Sequence, residues 1–154
     1  MPLPILLGES DFLNLRKQQM LFVDKSLFVI EVLRRSHKVQ LYPRPRRFGK
    51  TTNLSMLRYF LEKGPERSSY FSDLRVWEDA PSRVHFQKYA VINISFKGVK
   101  HACWEEGRTG LLAVLAEEIK RWLPVLCRPQ VSALERQRWQ ELAARSIEPD
   151  ARIL

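Results

Sequence analysis

An apolar run, Val39-Gln40-Leu41-Tyr42, leads straight into Arg44-Pro45-Arg46-Arg47-Phe48-Gly49-Lys50-Thr51-Thr52, and a stretch of helical period follows to Lys63. This segment constrains the chain more than any other. The run reads as a strand over His37 to Tyr42, which Pro43 and Pro45 end because proline cannot donate to a ladder. Leu54, Leu57 and Leu61 recur on one face of a helix spanning Thr51 to Lys63, with Gly64-Pro65 as its stop. Strand, basic turn, Gly-Lys-Thr and helix are the parts of a Walker-type phosphate loop. A helix N-terminus offers unpaired N–H groups and partial positive charge to an anion. Glycine allows close backbone approach, lysine neutralises β- and γ-phosphate charge, and a Ser/Thr hydroxyl helps hold magnesium. The loop departs from the usual pattern at its front, where Arg44 stands in place of glycine and Pro45 removes one N–H. Arg46 and Arg47 can offset that loss, since guanidinium groups grip phosphate oxygens in pairs. A basic turn that merely faces solvent stays open at this level.

The 154 residues suit one ordinary domain. With 45% hydrophobic and 28% charged residues, the composition is that of a chain with a core. No apolar run nears the roughly 20 residues a membrane helix needs. The N-terminal ten residues carry no basic leader, so a cytoplasmic protein that meets no membrane is expected. The formal charge of +9, from 26 basic and 17 acidic residues, favours phosphate-bearing partners. Cys103 and Cys127 are far apart and read as buried thiols, and the scattered His37, His85 and His101 argue for no metal site.

Elsewhere Ser10 is positioned to cap a short helix through Leu15, and Met20 to Val23 reads as a short strand. Asp24 precedes a helix over Ser26 to Arg35 with Leu27, Ile30 and Leu33 inward, widened by Phe28 and Val32. Residues 66 to 88 read as loop with short elements. Tyr89 to Phe96, rich in β-branched residues, is the best strand. A long helix is expected over Cys103 to Leu123, closed by Pro124, with Leu112, Leu115, Ile119 and Leu123 on one side. Ser132 and Glu135 form a capping box for a last helix, with Leu134, Trp139 and Leu142 inward, and the tail 148–154 shows no structural close. The order is that of an α/β fold.

Arg44-Pro-Arg-Arg-Phe-Gly-Lys-Thr resembles the signature of the bacterial AAA-ATPase-like family, which carries those residues where a glycine-rich loop is expected. Three further blocks agree in order. Asp11-Phe12 with Val23-Asp24-Lys25-Ser26 is similar to the family's N-terminal elements. Asn53 to Phe60 resembles its P-loop helix, and Val91 to Lys97 its following strand. The resemblance runs from about residue 5 to the end of the chain. It implies a P-loop NTPase using ATP and Mg2+, with Arg44, Arg46, Arg47, Phe48, Gly49, Lys50, Thr51 and Thr52 as nucleotide-binding residues. Thr51 would meet magnesium through ATP.

An ATPase also needs a carboxylate on magnesium and one on the attacking water. Leu111 to Glu118 ends in two carboxylates but repeats at helical period, so it reads as amphipathic helix. The family resemblance implies an acidic strand ending further downstream, and relatives often continue into a lid and a nuclease domain. Residues 1–154 are therefore expected to form the N-terminal portion of one such domain, with Walker A present, Walker B absent and the sheet incomplete. ATP binding without hydrolysis by the chain alone is the expected function, with a further polypeptide or an oligomer completing the domain. Unpaired strand edges at Val39–Tyr42 and Val91–Phe96 would then favour aggregation. The rivals are a nucleic-acid-binding module gripping backbone phosphate through Arg44, Arg46, Arg47 and Lys50, and a non-functional gene remnant. Asp24 reads as a helix cap, with a place near the nucleotide as the alternative. Trp77, Trp104, Trp122 and Trp139 read as core or half-buried anchors.

Overall fold

In the computed structural model, residues 8–35 and 37–144 are described. The tail from 148 and most of the N-terminal stretch judged to lack a leader lie outside them. The chain divides into two compact units, Met1–Val91 and Ile92–Leu154. No helix among the described residues is long and apolar enough to cross a membrane.

The first unit holds α1 (Phe12–Lys17), α2 (Leu27–Arg34), α3 (Lys50–Leu61), a 3-10 turn (Ser68–Tyr70), α4 (Arg75–Glu78) and α5 (Ala80–Arg83). Its core is Phe12, Leu13, Val29, Ile30, Met56, Phe60, Phe71, Leu74 and Val76. Met56 and Phe60, four residues apart on α3, form the buried seam, whereas Leu54 is half exposed to solvent. On α2 the buried pair is Val29 and Ile30 rather than a stripe through Leu27. The stretch 66–88, expected to be loop, supplies a third of that core through Phe71, Leu74 and Val76. Phe71 packs its ring 4.8 Å from Phe12, 5.4 Å from Phe60 and 5.5 Å from Phe86. The cap of α1 is Asp11 and not Ser10, because Asp11 Oδ1 accepts the Asn14 N–H at 3.0 Å. The other oxygen of Asp11 accepts from Tyr59 Oη at 2.9 Å and Ser55 Oγ at 3.2 Å, tying α1 to α3.

The expected α/β sheet does not form. Among the described residues the only β pairing is one parallel bridge between Glu62 and Tyr89, where the chain after α3 meets residues 87–89. Residues 20–23, 39–42 and 90–96 are irregular. A strand is stable only when its backbone groups find a neighbour and one face is buried. Val39 and Leu41 are each 87% exposed and Ile92 is 72% exposed, so neither condition is met. Residues 37–42 are held instead by side chains: Gln40 Nε2 donates to the Val32 and Arg35 carbonyls, closing the end of α2. The Tyr42 hydroxyl donates to Gln40, and its ring meets Phe28 edge-on at 4.9 Å. The expected strand edges are thus irregular segments with exposed apolar side chains.

The second unit is a helical hairpin, α6 (Trp104–Leu126) and α7 (Ala133–Ala144). Glu117 and Glu118 lie within α6, as their helical period predicts. Pro124 does not close α6, because the loss of one N–H in the last turn leaves the Cys127 N–H bonded to the Leu123 carbonyl. Ser132 and Glu135 form the reciprocal capping box ahead of α7. Ala116 and Ala143 are buried, while Leu134, Leu115 and Trp104 stand exposed against expectation. Cys103 is exposed and Cys127 half-buried, both as free thiols rather than core residues.

Candidate phosphate-binding site

The backbone from Arg44 to Lys50 turns sharply. Arg47 and Gly49 both adopt left-handed conformations, with φ of 67° and 73°. Glycine takes that conformation without the Cβ clash that Arg47 bears. Gly49 is the N-cap of α3 and brings no side chain to the helix end. The Asn53 N–H takes the first intrahelical acceptor, the Gly49 carbonyl, at 2.9 Å. The amides of Lys50, Thr51 and Thr52 precede it and have no intrahelical acceptor, which is the arrangement that receives anions.

Beside this turn is a cleft of about 370 Å³ lined by Lys25, Leu27, Phe28, Glu31, Tyr42, Arg44, Phe48, Lys50, Asn53 and Leu54. Its size falls within the range of small-molecule sites. Three cations face one carboxylate, and Glu31 is itself ion-paired with Arg35. A larger hollow of about 800 Å³ flanks α2 and α4, but there Arg34, Arg35 and Arg75 are matched by Glu31, Glu78 and Asp79. Balanced charge gives a polyphosphate little to prefer, and the smaller cleft carries the anion chemistry.

Of the expected residues, Arg44, Phe48 and Lys50 line the cleft together. Arg46, Arg47, Gly49, Thr51 and Thr52 are not among its lining residues, and both arginines are exposed. The Lys50 ammonium donates to the Arg44 carbonyl across the turn. That bond uses one of the three ammonium donors and leaves two for phosphate oxygens. Among the described residues no group of three or more His, Cys, Asp or Glu is placed to hold a metal.

Lys25 is the cleft residue that sequence reasoning passed over. Its Nζ donates to the Phe48 carbonyl at 3.4 Å and lies 3.6 Å from the position a Cβ on Gly49 would take. The residues on either side of it point elsewhere. Asp24 Oδ2 accepts the Arg75 N–H and Ser26 Oγ the Val76 N–H, both at 3.0 Å, so the pair caps α4 from a distance. Asp24 Oδ1 takes the Ser26 N–H at 2.7 Å, and Ser26 is the N-cap of α2 with no side-chain bond to that helix's own amides. Asp24 is therefore a cap, but of α4 rather than of the helix that follows it. The signal was a lysine between two capping residue types in a block already matched to the family.

Partial burial would raise the Asp24 pKa, but the Arg75 amide and then Ser26 outweigh it, and the carboxyl sits below its ordinary value. A lowered carboxylate pKa contributes stability that is full above the unfolded value, about pH 4, and is lost as pH falls through the folded value. Asp24→Asn is expected to flatten the acid side of the melting-temperature profile below about pH 4. An unchanged acid limb in thermal melts of the variant would refute this.

The AAA-ATPase-like family model, described as predicted AAA-ATPase, matches residues 6–147. No curated protein and no solved structure matches the chain. The family match takes in α1, the Asp24–Ser26 block, the turn at Gly49 and both helices of the second unit, and on that extent the chain belongs to the AAA-ATPase-like family.

Proposed function

We propose that this chain binds ATP with magnesium at the turn 44–52, a degenerate phosphate loop. Family membership supports nucleotide binding in general. The observation that supports the finer reading is that Lys50, Arg44 and Lys25 line one cleft, with Lys50 at the free N-terminal end of α3. The residues fit a polyphosphate: the amides of Lys50 to Thr52 would take its oxygens, and Lys50 and Arg44 its charge. Thr51 is the second residue of α3, where its hydroxyl can join the magnesium that the phosphates bring. Phe28, Tyr42, Phe48 and Leu54 give the cleft an apolar wall against which a base could rest.

Arg46 and Arg47 are exposed and outside the cleft, which favours a second reading in which they grip nucleic-acid backbone. Titration of the purified chain with ATP, with and without magnesium, and with duplex DNA over a salt series separates the two. ATP binding is expected to strengthen with magnesium and to compete with DNA weakly. Binding of DNA alone, falling steeply with salt, would replace the nucleotide reading with the second one.

A further inference from the structure

We propose that Lys25 is a third phosphate-binding cation of this site, beside Lys50 and Arg44, held at the turn by the capping residues on either side of it. The inference rests on the nucleotide reading above and adds a residue from a separate part of the chain, 25 positions before Lys50. Asp24 and Ser26 fix the backbone on both sides of Lys25 through three hydrogen bonds of 2.7 to 3.0 Å. Ser26 is buried and Asp24 half-buried, whereas the Lys25 side chain is exposed and reaches the cleft. An ammonium has three donors. One of them makes a long bond to the Phe48 carbonyl, at the far limit for a hydrogen bond, leaving two to face the cleft. The same ammonium stands 3.6 Å from where Gly49 would carry a side chain, so it sits beside the N-cap of α3.

That placement compensates for the front of the loop. Arg44 and Pro45 occupy the positions where a glycine-rich cradle would present amides, and Pro45 has none to present. A cation brought in from the α2 entry replaces lost dipoles with a full charge. Lys25 also stiffens the turn through Phe48, so its two roles need separating. Lys25→Gln keeps a donor for the Phe48 carbonyl but no charge, and Lys25→Arg keeps both.

Isothermal titration of ATP-magnesium into the full chain tests this, with Lys50→Ala alongside and thermal melts for each variant. Lys25→Ala and Lys25→Gln are expected to weaken ATP binding about tenfold, with Lys25→Arg restoring most of it, all at unchanged melting temperature. Wild-type affinity in Lys25→Gln would overturn the proposal and leave Lys25 a loop tether. Normal affinity in Lys25→Ala, with Lys50→Ala still defective, would overturn it while sparing the nucleotide reading. Absence of ATP binding by the wild-type chain would remove both.

Discussion

Lys50→Ala is expected to weaken ATP binding by about 10- to 100-fold while leaving the melting temperature of the chain within about a degree. The affinity estimate follows from the loss of a charge-assisted contact to phosphate, about 1.5–3 kcal/mol. The stability estimate follows from position. Lys50 is exposed at the first residue of α3, and its ammonium bonds the Arg44 carbonyl at the surface. Alanine there keeps the helix former and leaves the amides of residues 50 to 52 in place. The Lys50→Arg variant sharpens the test. A planar guanidinium is bulkier than an ammonium and cannot fold back across the turn in the same way, so it should recover only part of the affinity. Calorimetry with ATP-magnesium, paired with melting curves, reads both quantities. Equal ATP affinity in wild type and Lys50→Ala would sink the assignment of this turn to nucleotide.

How much of this was legible beforehand differs by element. The α3 N-terminus was, because Gly-Lys-Thr before a periodic stretch marks both a turn and a helix start, and the helix begins within one residue of expectation. The α7 capping box and the helical character of Glu117 and Glu118 were legible for the same local reasons. Strands were not. Val39-Gln-Leu-Tyr and Tyr89 to Phe96 have the composition of strands, but composition records a preference for a half-buried pleated surface, and a strand exists only beside a partner. With Leu41 87% exposed and Tyr42 tied to Gln40 and Phe28, side-chain bonds settle the backbone instead. The core contribution of residues 66–88 was hidden because its apolar residues follow neither period: Phe71 ends the 3-10 turn, Leu74 is the N-cap of α4 and Val76 lies inside that one-turn helix. Lys25 was hidden for another reason. A charged residue reads as solvated unless its neighbours are known to be anchored, and the anchors of Asp24 and Ser26 lie about 50 residues downstream.

Phe71→Ala is expected to destabilise the first unit by about 3–5 kcal/mol, the typical loss for a fully buried phenylalanine. Phe71 is completely buried and its ring is the one that Phe12 of α1, Phe60 of α3 and Phe86 all touch. Truncation leaves a hole that three elements cannot all collapse into, so the cavity term adds to the transfer term. A small unit has about 5–15 kcal/mol in total, so this one change removes a large share of it. The consequence reaches the site through α3. Met56 and Phe60 fix that helix to the core, and its first residues carry the amides and Lys50. ATP affinity should therefore fall together with stability in Phe71→Ala and recover as the unit is refolded at lower temperature, whereas in Lys50→Ala it falls alone. Phe71→Leu, which keeps most of the volume, should cost less than half as much. Urea unfolding followed by far-ultraviolet circular dichroism measures the loss directly. A midpoint for Phe71→Ala matching the wild type would mean that the aromatic cluster does not hold α1 and α3 together, and the position of the phosphate turn would need another cause.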